Sequence, residues 1–139
     1  MSTVSKTIRI NTKGNCDMID ITERVAKEIS GSDIRDGLAT IFITGSTAGI
    51  TTIEFEGGVL NDYEDMWERN VPSSIAYQHD QRWGDGNGYS HVRASVQGPS
   101  LVVPFANKKM MLGTWQQIVV VDFDNRARSR EIVLQLLGD

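Results

Sequence analysis

Trp115-Gln116-Gln117-Ile118-Val119-Val120-Val121-Asp122-Phe123 is the stretch whose reading decides the fold. Three valines in succession leave neither face of an extended chain polar, so this strand is expected to be covered on both sides. The next run, Arg128 to Leu137, reads as its hairpin partner around Asp124-Asn125. Alternate residues of a strand share a face, so Arg126, Arg128 and Arg130 would form a basic stripe. That stripe reads as a solvated edge discouraging sheet-to-sheet aggregation, the alternative being an anion or subunit contact.

Working outward, Thr7 to Asn11 alternates with the period of a half-buried strand, Lys13-Gly14-Asn15 turns it, and Cys16 to Ile19 pairs back. Asp20 stands three residues before Glu23, as in a capping box, and Ile21, Val25 and Ile29 recur at helical spacing, predicting a helix over Ile21 to Ser30. Asp36-Gly37 turns into a strand from Leu38 to Thr44, with Ala39, Ile41 and Ile43 on one face. A strand over Ile50 to Glu56 follows, and its alternation turns Glu54 away from Phe55 toward a more polar surface. A second helix runs from about Leu60 to Asn70, with Asn61, Asp62 and Glu64 at the favourable end of its dipole, Tyr63 and Trp67 facing the core, and Pro72 stopping it.

Ser73 to Asn87 has no sustained period, yet it carries Tyr77, His79 and Trp83, so it is expected to pack as the wall of a cleft. His91 to Val96 alternates as a strand with His91, Arg93 and Ser95 on one face. Leu101 to Phe105 is another strand, and Asn107-Lys108-Lys109 turns again. The sum is an α+β fold: one domain over residues 1–139, a mostly antiparallel β-sandwich of about eight strands with two helices.

Composition narrows the function. A net charge of -4, from 18 acidic against 14 basic residues, with no long basic run, argues against a nucleic-acid surface. Cys16 is the only cysteine, so no intrachain disulfide forms and no cysteine-rich zinc motif exists. The start lacks the apolar run of a secretory signal and no segment has the apolar length of a membrane span, so a cytoplasmic protein without membrane contact is expected.

The chemistry concentrates in Gly84-Asp85-Gly86-Asn87-Gly88-Tyr89-Ser90-His91-Val92-Arg93. Its glycines allow close backbone approach to a ligand, and its polar side chains supply donors, acceptors and a titratable ring. On one strand face His91 and Arg93 would lie about 6 to 7 Å apart, close enough for a phosphate or carboxylate to bridge them. His79 and His91, the only histidines, could join Glu54 in a set of two imidazoles and a carboxylate of the kind that holds a catalytic zinc. Gly45-Ser46-Thr47-Ala48-Gly49 is either a tight turn or an anion cradle of backbone N–H groups and the Ser46 and Thr47 hydroxyls. It lacks the lysine of a phosphate loop, and nothing in the sequence activates Cys16 as a nucleophile.

Several motifs in order, Gly45 to Glu54, Tyr77-Gln78-His79, Gly84 to Ser95, Gly98-Pro99-Ser100, Leu112 to Gln116 and the closing Leu137-Gly138-Asp139, resemble the YjbQ family over nearly the whole chain. That family is named for a secondary thiamine-phosphate synthase activity. The resemblance implies a homotrimer with sites near subunit boundaries. It also implies a polar cluster at Glu54, His79, Asn87, His91, Thr114 and Gln116, with zinc or a phosphate-like anion at the histidines. Many members carry a His at the position of Gly45 and an Asn at that of Ile53, so this chain resembles a branch with one candidate metal ligand fewer.

Thiamine-phosphate formation expels pyrophosphate, which calls for cationic groups or magnesium around the leaving group. Arg93, aided by Arg82, would meet the pyrophosphate, and Glu54 or Asp85 would hold magnesium. Dedicated synthases of this reaction resemble (β/α)8 barrels of about 250 residues, so any such activity here needs a different site. The expectation is a small-molecule enzyme acting on a phosphorylated metabolite. Glu54, His79 and His91 are its catalytic candidates, Ser46, Thr47, Asp85, Asn87, Arg93, Thr114 and Gln116 bind substrate, and His79 and His91 are the metal ligands. The alternatives are a non-catalytic trimeric binding protein for such a metabolite and a zinc-dependent hydrolase.

Overall fold

The valine run is the middle strand of a three-layer arrangement. In the computed structural model, which describes residues 1–139, the elements in chain order are β1 (Ser2–Thr12), β2 (Asp17–Asp20), α1 (Thr22–Ser30), β3 (Gly37–Ile43), β4 (Ala48–Ile53), α2 (Gly57–Asn70), α3 (Gln78–Trp83), α4 (Gly88–Gln97), β5 (Ser100–Ala106), β6 (Lys109–Met110), β7 (Gln117–Asp122) and β8 (Arg128–Gly138). They form two antiparallel sheets, one of five strands in the order β1-β8-β3-β5-β6 and one of three in the order β2-β7-β4. The α+β sandwich expected from the sequence is the fold observed.

Alternation along β7 explains the layering. Ile118 and Val120 point into the sandwich, where they meet Ile8, Ile10, Ile41, Ile43, Ile132 and Leu134 from the five-stranded sheet. Val119, Val121 and Phe123 point the other way, onto Trp67 of α2 and Ala94 of α4. Both sets are buried, each side chain contributing about 1.5–3 kcal/mol of hydrophobic transfer free energy. Val25 and Ile29 of α1, at helical spacing, complete the inner core.

Four sequence expectations change. β2 does not pair back on β1 but runs antiparallel to β7 in the other sheet. β7 and β8 are not a hairpin: they belong to different sheets, and the Asp124-Asn125 turn carries the chain from one layer to the other. β8 is an interior strand between β1 and β3, so the basic stripe does not lie on an edge; of its three arginines only Arg126 is exposed, and Arg130 turns into the space between the sheets. The segment read as a strand at His91 to Val96 is the middle of α4, which brings the helices to four, and the eighth strand is the short β6.

The buried positions of α4 include Tyr89, Ser90, Arg93 and Ala94, a helical stripe hidden from a hydrophobicity reading because two of the four are polar. Close approach decides where α4 sits. A Cβ on Gly49 would lie 2.7 Å from Gln97 Cγ and 3.0 Å from the Gly98 carbonyl oxygen, so β4 must be bare at this point for the helix end to pack against it. Gln97 reciprocates by donating from Nε2 to the Ile50 carbonyl and accepting from the Tyr63 hydroxyl. The sequence-predicted strand over Ile50 to Glu56 ends at Ile53, because the Glu56 carboxylate accepts from the Gly58 and Val59 N–H groups and starts α2. No helix is long and apolar enough to cross a membrane.

Candidate functional site

At the Ala48–Asp122 end of the three-stranded sheet lies an open cavity of about 400 Å³, lined by Gly45, Ser46, Thr47, His79, Trp83, Asp85, Asn87, His91, Arg128 and Arg130. Its floor is a buried ion network. Asp122 and Asp124 follow directly on the buried valine run and are themselves inaccessible to solvent. A carboxylate in that position must be paired or neutralised. Asp122 accepts two hydrogen bonds from Arg130, at 2.7 Å from Nε and 2.9 Å from Nη2, and another from the Thr12 hydroxyl.

Asp124 is the hub of the network. It accepts from the Thr47 hydroxyl at 2.9 Å, Asn87 Nδ2 at 3.2 Å, Arg128 Nε at 2.9 Å and its neighbour Asn125 N–H at 2.8 Å. Burial alone would raise its pKa, but the bonds from Thr47, Asn87, Asn125 and Arg128 outweigh that and hold it below the usual carboxylate range.

This network fixes which guanidinium atoms remain for a ligand. Arg130 spends Nε and Nη2 on Asp122 and Thr47, and its Nη1 faces Gly45, 2.7 Å from where a Cβ there would stand. Gly45 also has φ 111°, a backbone region that L side chains rarely adopt. Glycine at this position therefore keeps Arg130 at the pocket wall.

The facing wall comes from α3 and the start of α4. Gly84, in the left-handed region, ends α3, and Asp80 Oδ1 accepts from the Gly88 N–H at 2.8 Å, tying the two helices together. The His79 and His91 rings lie against each other in a tilted arrangement, with centroids 4.3 Å apart and planes inclined by 40°. His79 Nδ1 is 3.4 Å from Asp85 Oδ1 and 3.6 Å from Asp80 Oδ1 but makes no hydrogen bond, although the atom is buried. Burial, and then the neighbouring His79, push the His91 pKa below the ordinary histidine value, so its imidazole is neutral at pH 7. A neutral imidazole can accept a proton.

Of the residues singled out in the sequence, Ser46, Thr47, His79, Asp85, Asn87 and His91 come together here. Arg93 does not. Two helical residues apart means about 200° of rotation, so Arg93 points away from His91 into the protein, where it is only 2% exposed. Its Nη2 donates to Glu68 at 2.7 Å, its Nε to the Val71 carbonyl at 3.0 Å, and its guanidinium lies over the Tyr89 ring, so it fastens α2 to α4.

Glu54, Thr114 and Gln116 also lie elsewhere. β4 and β7 are paired from Ala48–Asp122 at the histidine end to Ile53–Gln117 at the other, and these three residues are beyond that far end, about 17 Å away along the strands. Glu54 lines a separate acidic cleft with Glu23 and Trp115, and Gln116 Nε2 donates to the Thr52 hydroxyl. Asp122 and Asp124 were not among the sequence's site candidates, and Arg128 and Arg130 entered only through the alternative reading of the basic stripe as an anion contact. Their signal was present, since two acids after a buried valine run demand basic partners and the next strand supplies two.

The family profile described as "UPF0047 protein YjbQ-like" matches residues 6–139. The chain belongs to the YjbQ/UPF0047 family. A UPF0047 protein of Methanothermobacter thermautotrophicus is 36% identical over 138 residues, covering 99% of this chain and 94% of the relative. UPF0047 protein YugU of Bacillus subtilis is 33% identical over 134 residues, covering 96% and 98%. Among solved structures, a YbjQ-like protein of unknown function from Sulfolobus solfataricus superposes with a TM-score of 0.92 at 29% identity, covering 99% of both chains. A YjbQ/UPF0047 protein of Clostridium acetobutylicum, described as uncharacterised, gives 0.86 at 31% identity, covering 95% and 99%. The fold and the resemblance read from the sequence are those of YjbQ proteins.

Proposed function

We propose that this YjbQ chain is a small-molecule enzyme whose cavity between Gly45–Thr47, the histidine pair and Arg128–Arg130 binds a phosphorylated metabolite. The observation that carries the reading is the facing of two adjoining, tilted imidazoles and a buried, carboxylate-anchored guanidinium across one cavity. Arg130 Nη1 and the Ser46 hydroxyl supply donors for phosphate oxygens. Asp122 holds Arg130 in place, so little side-chain entropy is lost when a phosphate binds. His91 is the acid–base group, with the His79 ring packed against it. Thiamine-phosphate formation is a side activity within this reading, with Arg128 and Arg130, instead of Arg93, meeting the leaving pyrophosphate.

A second reading rests on a separate observation: the unbonded His79 Nδ1 and the carboxylates of Asp80 and Asp85 have ligand atoms within 4.8 Å of one another. This donor set suits zinc, which would supply an activated water for hydrolysis; magnesium would draw on Asp80 and Asp85. We also propose assembly as a homotrimer. Leu38, Phe42, Val102 and Leu137 form an exposed apolar face on the five-stranded sheet that a second copy would cover.

The test is calorimetric titration with inorganic pyrophosphate, alongside an assay for thiamine phosphate with both precursors and magnesium. Saturable binding that weakens at least tenfold in Ser46→Ala, with turnover lost in His91→Gln, supports the enzyme. Binding without turnover moves the reading to a metabolite-binding protein, and stoichiometric zinc in protein purified without chelators favours the hydrolase.

A further inference from the structure

Between α1 and β6, the last strand of the five-stranded sheet, lies a groove of about 640 Å³. Ala26 and Lys27 of α1 form one wall, and Lys109, Met110 and Leu112 form the other. The hairpin behind the second wall is firmly held. Its two turn residues, Asn107 and Lys108, both have left-handed backbone, φ 51° and 61°, the geometry that a two-residue hairpin requires and that other residues than glycine keep only under constraint. Asn107 Oδ1 accepts from Arg35 Nε at 3.0 Å, the Asn107 N–H donates to Asp36 Oδ1 at 2.7 Å, and Lys108 Nζ donates to the Ser32 carbonyl at 2.6 Å, just past the end of α1. β6 is therefore a fixed edge.

That edge is unfinished. Ala106 and Lys109 flank the turn, and the Met111 N–H donates to the Pro104 carbonyl at 2.9 Å, so these are the bonded pairs of the antiparallel ladder. Met110, between them, turns its N–H and C=O away from β5, and no strand follows β6 in the sheet to take them. Charge decides what would fit there. Lys27, Lys108 and Lys109 line the groove against the single carboxylate of Glu23, on a chain whose net charge is -4. Lys108 is committed to the end of α1, whereas Lys27 and Lys109 stand exposed. Met110 and Leu112 pack against the core and give the groove an apolar floor.

We propose that this groove takes an extended acidic segment of a partner protein, which adds a strand to the β6 edge. The backbone of the segment pairs with Met110, and its carboxylates meet Lys27 and Lys109. This docking is independent of what the histidine cavity binds.

The probe is a terminally blocked pentapeptide alternating glutamate and valine, titrated calorimetrically into the intact protein. Saturable binding is expected, weakened about tenfold when the peptide amides are N-methylated, which removes the pairing donors, and also when lysine replaces glutamate. Lys27→Glu with Lys109→Glu should weaken it to a similar degree. Lys6→Glu with Arg126→Glu, an equal change of charge on exposed residues outside the groove, should leave it unchanged. No saturable binding, equal affinity for the N-methylated peptide, or binding that survives the reversal of Lys27 and Lys109 overturns the proposal.

Discussion

Asp124 shows how a buried charge organises the pocket. Five pocket or floor groups converge on it, and removing the carboxylate would strand Arg128, Thr47 and Asn87 with unmet donors. Asp124→Ala is therefore expected to lower unfolding free energy by about 3–5 kcal/mol, measured by urea denaturation. Cys16 is a contrasting case. Burial, with nearby Glu64 adding to it, pushes its thiol up to about 12, so native protein at pH 8 should resist alkylation that goes to completion once it is unfolded. His91 gives a pH dependence of definite sign. Its folded pKa lies below the unfolded value of about 6.5, so between the two the unfolded chain binds more protons and stability rises with pH. The thermal midpoint of the unmodified protein should fall more steeply on acidification through that window than that of His91→Gln.

At the scale of elements, the β4–α4 contact is the most exacting. Gly49→Ala would drive a methyl group against the Gly98 carbonyl and the Gln97 stem, and should cost about 1–3 kcal/mol in the same denaturation measurement. The elements legible in the sequence were those with a one-sided apolar period, such as β3 with Ala39, Ile41 and Ile43, or α1 with Val25 and Ile29. α4 was not legible because its buried stripe uses Ser90 and Arg93, and Arg93 is held inside by Glu68, 25 positions away in no local pattern but one salt bridge away in space. The β7–β8 connection was misread for a related reason. A short loop between two strands usually closes a hairpin, and only the acids at Asp122 and Asp124, which need Arg128 and Arg130 above them, indicate a crossing between layers. For the site, local sequence brought His79, Asp85, Asn87 and His91 together correctly. Glu54 was joined to them on chemistry alone, without the register that puts it at the other end of β4.

For the whole molecule, α2 and α4 cover one face of the three-stranded sheet, while the outer face of the five-stranded sheet is left open with Leu38, Phe42 and Val102 exposed. If copies assemble through that face, Phe42→Lys with Val102→Lys should convert a trimer to a monomer in sedimentation velocity while leaving the circular dichroism spectrum unchanged. The central claim, that the cavity between the histidine pair and Arg130 receives a phosphate, is tested most directly by imidazole NMR, since the chain has only two histidines. Titration with inorganic phosphate at fixed pH should shift the ring resonances of both His79 and His91 along one saturable curve, and Ser46→Ala should weaken that curve. Ring resonances that stay fixed up to millimolar phosphate would contradict it.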